Sequence, residues 1–148
     1  MMRKAPFLLP LLSTLALDQA SKALIMGFLA EGESLELLDG FFRLTLLLNP
    51  GALFGVGKGW GWLFLAFSVA FLLLLPFLLR GRYRSIEGMG FGFLAGGALG
   101  NVVDRVRLGA VVDFLDLGYK GWRWPVFNLA DVAITVGFGL LVLKWLRD

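Results

Sequence analysis

The 148-residue chain is far more apolar than a water-soluble domain of its size, with 58% hydrophobic and 17% charged residues and a mean hydropathy of +0.79. This composition is typical of a membrane protein, and the net charge of +3 is explained by basic turns beside anionic lipid, so no nucleic-acid partner is expected. Histidine and cysteine are absent, which excludes Ser-His and Cys-His nucleophiles, histidine zinc sites and disulfides.

The first predicted helix covers residues 6–29 and is apolar apart from Asp18, Gln19 and Lys22. Its basic start resembles a signal peptide, but the segment continues past Lys22. It also carries an acid and a base where a cleavable signal peptide is apolar. We therefore interpret it as a retained membrane span. Asp18 and Lys22 lie on one helix face and can pair with each other, which is a structural alternative to a direct functional role.

A small β element is predicted over residues 33–58, on the outer face between helices 1 and 2. Two short apolar runs, 35–38 and 41–48, are separated by Asp39-Gly40, a hairpin-turn signal. A glycine-rich loop follows at residues 49–59. An amphipathic segment lying on the membrane is an equally good interpretation of residues 41–48.

The clearest membrane span is the second predicted helix, residues 60–79. No charge lies between Lys58 and Arg80, and at about 1.5 Å per residue this stretch spans roughly 31 Å, the thickness of the hydrocarbon core. The third predicted helix, residues 87–103, is apolar and rich in glycine. Its Gly96, Gly97 and Gly100 form a small-residue surface that permits close helix approach.

Polar residues gather at the end of the third helix and at the start of the fourth, residues 126–146. Asn101, Asp104 and Arg105 share the end of helix 3, where Asp104 and Arg105 can cap the helix or bind lipid phosphate. Asn128 is a predicted N-cap of helix 4, with Asp131 at the third helical position. The cap explains the spacing of Asn128 and Asp131, but it does not explain why a charged carboxylate is placed at the N-terminus of a membrane helix.

Basic residues orient the four predicted spans. Arg80, Arg82 and Arg84 form the turn between spans 2 and 3, and further basic residues flank both termini, so these segments are assigned to the cytoplasm. The sequence thus predicts an all-α membrane protein with four transmembrane helices and a small extracytoplasmic β element between helices 1 and 2. Residues 1–148 are expected to form a single membrane-embedded domain.

Carboxylates are the remaining candidates for catalysis. Two aspartates held close in a partly desolvated site share one proton, so that one activates water and the other polarises a carbonyl group. The residues alone leave three classes open: an aspartate hydrolase, a proton-coupled transporter and a Mg-dependent lipid phosphotransferase. Transport is disfavoured because, apart from Glu87 at the border of span 3, the predicted cytoplasmic half of every span is free of acids.

Four motifs in order, DQASK, NPGALFG, GNVVDRVRLGAVVDF and FNLADVAI, resemble the bacterial lipoprotein signal peptidases over nearly the whole chain. The resemblance implies an inner-membrane aspartyl endopeptidase that removes the signal peptide of prolipoproteins, cutting on the amino side of a cysteine that carries diacylglyceryl. It implies no metal or cofactor, and its partners are prolipoproteins and membrane lipids. We expect a monomer with both termini in the cytoplasm and the active site near the outer face.

Carried over by position, the catalytic aspartates of the family fall on Asp113 and Asp131. Without the resemblance, Asp113 could not be preferred over Asp104 or Asp116. The resemblance further implies substrate-binding or supporting roles for Asp18, Lys22, Asn49, Gly51, Phe54, Asn101, Asp104, Arg105 and Asn128. Asn128 is expected to orient Asp131 or the substrate backbone, and Arg105 to be a structural or substrate-anchoring cation. We also hypothesise that the NPGALFG loop closes over the site.

Overall fold

A computed structural model describes residues 5–51, 59–80 and 85–147 of the chain. In chain order the elements are α1 (Ala5–Phe28), β1 (Ser34–Leu38), β2 (Phe42–Asn49), α2 (Gly61–Leu78), α3 (Ser85–Leu108), β3 (Val111–Tyr119), β4 (Trp122–Arg123) and α4 (Leu129–Trp145). Phe54 and most of the NPGALFG loop lie outside the described residues, as do Arg82 and Arg84.

Within the described residues, three helices, α1, α2 and α3, are long and apolar enough to cross a membrane. The fourth helix, α4, has 17 residues and is therefore about 26 Å long. The third helix continues to Leu108 instead of ending at residue 103 as predicted. Its last turn contains Arg105 and Arg107, and cations at this position interact favourably with the negative end of the helix dipole, so the charges do not end the helix.

The glycines of α3 allow it to lie directly against α1 and α4, as their small-residue surface predicts. A methyl group on Gly96 would lie 2.7 Å from the carbonyl oxygen of Leu11, and one on Gly97 would lie 2.5 Å from the carbonyl oxygen of Ala130. At Gly100 the added carbon would overlap the Asp18 carboxylate. These close approaches bring polar groups of all three helices together near the end of α3.

The strands form one antiparallel sheet in the order β1-β2-β3-β4. The predicted hairpin is confirmed, since β1 pairs with β2 around a turn in which Gly40 has a φ of 67°. The sheet is nevertheless larger than predicted, because β3 and β4 follow α3. The all-α description was therefore too narrow. Strand β3 is buried at nearly every position, so it lacks the polar and apolar alternation by which a half-buried strand is identified in a sequence.

One face of β3 packs on the core beneath the sheet. Val112 and Phe114 are buried in a cluster with Leu46 of β2 and Ile25 of α1. Successive side chains of a strand point to opposite faces. Asp113 therefore projects away from this cluster, and its carboxylate meets the side chain of Asn128.

Candidate active site

Asp113 is held in β3 by two neutral amides. Its Oδ1 atom accepts a hydrogen bond of 2.8 Å from Nδ2 of Asn128, and its Oδ2 atom accepts one of 3.0 Å from Nδ2 of Asn49. Residue Asp113 is only 4% exposed. The carboxylate is thus oriented on both sides by neutral side chains from separate parts of the chain.

Asp131 belongs to the predicted cap of α4. Oδ1 of Asn128 accepts from the backbone N–H of Asp131 at 2.9 Å, and Oδ2 of Asp131 accepts from the backbone N–H of Asn128 at 3.3 Å. The capping interpretation is therefore confirmed. The second oxygen, Oδ1, faces α3 and accepts from Nδ2 of Asn101 at 3.0 Å, so the same carboxylate also joins two helices.

Asn128 connects the two aspartates. Its side-chain N–H donates to Asp113 and its backbone N–H donates to Asp131. All four carboxylate oxygens of this pair accept from neutral N–H groups. Burial raises the pKa of Asp113 to about 7, and the nearby charge of Asp131 also raises it, against the hydrogen bonds from Asn49 and Asn128, which lower it.

A buried ion-pair cluster lies beneath this pair and consists of Asp18, Lys22 and Asp104. The Nζ atom of Lys22 lies 2.8 Å from Oδ2 of Asp18 and 2.6 Å from Oδ2 of Asp104. All three residues are at most 2% exposed. The predicted pairing of Asp18 with Lys22 is thus confirmed, but Lys22 also binds Asp104, which therefore neither caps α3 nor faces lipid.

The ion-pair cluster holds the elements that carry the aspartates. Oδ1 of Asp18 accepts from the backbone N–H of Ala130 in the first turn of α4, at 2.9 Å. Oδ2 of Asp104 accepts from the backbone N–H of Val112 in β3, at 3.1 Å. Gln19 was not among the predicted site residues, although its amide donates to both Asp18 and Asp104. Its polarity could have identified it, because Gln19 is a polar residue inside an otherwise apolar span.

Lys22 also sets the orientation of an amide in the site. Its Nζ atom donates to Oδ1 of Asn101 at 3.2 Å. An ammonium group has donors only, so the amide of Asn101 must turn its oxygen toward Lys22 and its NH₂ group toward Asp131. The N–H donor that reaches Asp131 is therefore specified by a cation on another helix.

Arg105 holds the chain where it leaves β2. Its guanidinium donates to the carbonyl oxygen of Gly51 at 3.1 Å, and the N–H of Gly51 donates to Oδ1 of Asn49 at 2.9 Å. Nδ2 of Asn49 then reaches Asp113. Asn49, Gly51 and Arg105 are thus joined at one side of the site.

Asp116 has a separate environment. It accepts from the hydroxyl group of Thr45 and from Nε of Arg123, both at 2.7 Å. The Thr45 hydroxyl lies 2.8 Å from that of Ser34, so a row of polar side chains crosses all four strands. Asp116 therefore stabilises the sheet. Its two partners were not predicted, because Thr45 is distant in the chain and Arg123 lies on the neighbouring strand β4.

A cavity of about 240 Å³, which we call the helix-side cavity, brings Asp113 and Asp131 together. Asn101 and Arg105 also line it, and its apolar wall contains Phe64 and Phe67 of α2 and Ile134 of α4. A buried carboxylate, a half-buried one, neutral amide donors and an apolar wall therefore share one small space. This arrangement can retain one proton between two acids beside an apolar surface.

Comparison with known proteins agrees with this geometry. A family model described as signal peptidase (SPase) II matches residues 11–147. A lipoprotein signal peptidase from Burkholderia mallei is 41% identical, covering 97% of this chain and 89% of its own. One from Moorella thermoacetica is 43% identical, covering 95% and 91%.

Solved structures show the same fold. A bacterial membrane enzyme determined by the in meso method at 2.3 Å superposes with a TM-score of 0.85 at 32% identity, covering 95% of this chain and 87% of the other. A second, determined at 1.9 Å, gives a TM-score of 0.80 at 32% identity, covering 95% and 92%. The chain therefore belongs to the signal peptidase II family.

Proposed function

We propose that Asp113 and Asp131 are the catalytic dyad with which this chain cleaves prolipoproteins on the amino side of their diacylglyceryl-modified cysteine. Membership of the family makes the chain a membrane peptidase that removes signal peptides from prolipoproteins. The observation that carries the dyad is that both carboxylates line the helix-side cavity and are held there by neutral amides.

The dyad hydrolyses the peptide bond by general acid–base catalysis. The ionised aspartate removes a proton from a water molecule, whose oxygen attacks the scissile carbonyl carbon, while the protonated aspartate donates to the carbonyl oxygen. Collapse of the tetrahedral intermediate breaks the C–N bond. The leaving nitrogen takes the proton that the first aspartate removed from water and becomes the free amino group of the lipidated cysteine, while the second aspartate recovers its proton from the hydroxyl group of the intermediate.

This chemistry needs one proton on the dyad at the working pH. The raised pKa of Asp113, about 7, supports a dyad that keeps its proton near neutrality. The two members share that proton as a unit. Neutral amide donors suit this state, because they orient both carboxylates without the full compensation that a cation provides.

We further propose a four-span topology in the bacterial inner membrane, with both termini in the cytoplasm and the dyad near the outer face. The length of α4, 17 residues, is at the lower limit for a membrane span. Trp60 and Trp62 lie at the start of α2, and Trp122 and Trp124 precede α4. All four are exposed, and Trp145 ends α4. Indoles favour the membrane interfaces, which supports this placement. The chain then acts as a single-domain monomer among membrane lipids.

The test is cleavage of a diacylglyceryl-modified prolipoprotein by the purified protein in detergent with EDTA present. We expect the native chain to cut, and Asp113→Asn and Asp131→Asn to reduce kcat by about 10³-fold or more, with unchanged folding. The matched control is Asp116→Asn, which alters an aspartate of the same strand that binds Arg123 and is expected to retain most of the activity.

Two outcomes would contradict the proposal. Turnover by either dyad variant at the native rate would remove that aspartate from the mechanism. Loss of native activity in EDTA, restored by Mg²⁺, would instead favour the metal-dependent chemistry that the sequence left open.

A further inference from the structure

A second cavity, of about 500 Å³, meets the first at Asp113. It lies between the end of β2, strand β3 and residues 124–126, and we call it the sheet-side cavity. Asn49, Asp113 and Val126 line both cavities, whereas Asp131 lines only the helix-side cavity. The proposed catalytic centre therefore stands at the junction of two spaces.

The walls of the two cavities belong to different parts of the fold. The helix-side cavity is closed by Phe64 and Phe67 of α2, within a candidate membrane span. The sheet-side cavity has Leu47 of β2 and Trp124 on its walls, with Asp116 and Arg123 at its border, and no residue of a helix is among its described lining. One cavity thus opens among the helices and the other along the sheet.

A polypeptide cut at the dyad must extend from it in two directions. The signal peptide before the cut has an apolar segment, which suits the space among the membrane helices. The segment after the cut belongs to the mature protein and leaves the membrane. We infer that the sheet-side cavity is a subsite for the residues that follow the cleavage site; this rests on the proposed function.

The chemistry of the sheet-side cavity favours a short neutral peptide over an acyl chain. Its border is polar, because the Arg123 guanidinium donates to the Asp116 carboxylate at 2.7 Å and to the carbonyl oxygen of Gly40 at 3.1 Å. Arg123 and Asp116 offset each other's charge. The cavity volume is within the range of sites that enclose a small ligand, so it accommodates a few residues only.

Trp124 is the residue that tests this subsite. Its backbone N–H donates to the carbonyl oxygen of Leu117 at 2.8 Å, and alanine retains this bond. Its side chain is 45% exposed and offers an apolar face to an extended chain. Removal of the indole therefore removes a wall of the sheet-side cavity while the backbone that forms it stays in place.

The experiment compares two synthetic substrates that carry the same signal peptide and diacylglyceryl-cysteine. One ends at the cysteine amide and the other continues for several neutral residues. We expect the native chain to cleave the longer substrate with a kcat/KM about tenfold higher, as expected for added contacts in an apolar pocket. In Trp124→Ala this ratio should fall toward one, and Leu47→Ala, on the other wall, should also lower it.

Two matched controls should leave the ratio unchanged. Phe67→Ala alters only the helix-side cavity, and we expect it to lower kcat/KM for both substrates by the same factor. Trp145→Ala removes the indole of a residue that is 75% exposed at the opposite end of α4, and kcat/KM should stay unchanged for both substrates.

The outcomes separate this inference from the proposed function. Equal cleavage of both substrates by the native chain overturns the subsite alone, and so does an equal loss on both substrates in Trp124→Ala, which would indicate that the acyl chains occupy this cavity. Failure of the native chain to cleave either substrate overturns the proposed function and the subsite with it.

Discussion

Two groups of aspartates, each largely removed from solvent, lie side by side in this molecule. In the ion-pair cluster, Asp18 and Asp104 share the ammonium group of Lys22 at 2.8 and 2.6 Å. In the dyad, Asp113 and Asp131 receive their hydrogen bonds from asparagine side chains and from the backbone at 2.8 to 3.3 Å. Among the described residues, only the carboxylates of the first group form ion pairs with a cation.

This difference separates a structural role from a chemical one. In the cluster, the buried ammonium group of Lys22 offsets charge on the two carboxylates that it contacts. A buried carboxylate that meets only amides retains affinity for a proton, as the pKa of Asp113, about 7, indicates. The cluster can therefore position α4 and β3, while the dyad can exchange protons with a substrate. Four substitutions test the comparison.

The largest effect on stability is expected at Lys22. Lys22→Met leaves two buried carboxylates without their cation, and we expect the free energy of unfolding to fall by about 3–5 kcal/mol. Thermal unfolding in detergent measures this change. The matched control is Lys144→Met: its ion pair with Glu87, 2.9 Å long, joins side chains 23% and 21% exposed, so the loss should be less than about 1 kcal/mol. Equal losses in both variants would contradict the role of the cluster.

The second effect concerns the close contact between α3 and α4, the helix that carries Asp131. In Gly97→Ala the new methyl group would meet the carbonyl oxygen of Ala130 and the side chain of Ile134. We expect a loss of about 1–3 kcal/mol in stability and a lower kcat, since α4 carries Asp131. Gly139→Ala is the control, because its methyl group meets nothing within 4 Å and alanine favours a helix. If both variants behave alike, the close contact does not position the dyad.

The third effect is the dependence of stability on pH. The folded pKa of Asp113, about 7, lies above the ordinary value of about 3.9. Folding therefore retains a proton between these values, and the native chain loses stability as pH rises toward 7. Asp113→Asn removes this loss, so the stability of the variant relative to the native chain should increase by about 1 kcal/mol or more between about pH 5 and pH 8. A constant difference between the two proteins would show that Asp113 is ionised throughout.

The smallest effect is a displacement of the pH profile of cleavage. The hydrogen bond from Asn49 lowers the pKa of Asp113, so Asn49→Ala should raise it and preserve the dyad proton to higher pH. Because catalysis needs that proton, the alkaline limb of kcat, which we expect near pH 7 in the native chain, should move upward. If kcat falls in Asn49→Ala while the alkaline limb of its pH profile stays in place, the role of Asn49 is purely steric.

Much of the framework follows from local features of the sequence. The length of the uncharged stretch between Lys58 and Arg80 predicts α2. The Asp39-Gly40 turn predicts the hairpin, and the spacing of Asn128 and Asp131 predicts a capping box. The spacing of Asp18 and Lys22 predicts their ion pair. Each of these features depends on residues within one continuous segment, so it can be predicted without the tertiary contacts.

The roles of the aspartates do not follow in this way. One short segment contains Asp104, Asp113 and Asp116, and its sequence does not indicate which of the three is catalytic. The structure pairs Asp104 with Lys22 of α1 and Asp116 with Arg123 of β4, and it places Asp113 beside Asn128 and Asn49. Strand β3 itself was missed because it is buried at nearly every position.

The sequence by itself therefore determined the membrane class, the helices, the first hairpin and, through its motifs, the family. Only the tertiary structure decided which aspartates meet a cation and which meet neutral amides. The physical reason is that the proton affinity of a buried carboxylate depends on its burial and on the donors and charges around it, and here these come from residues distant in the chain.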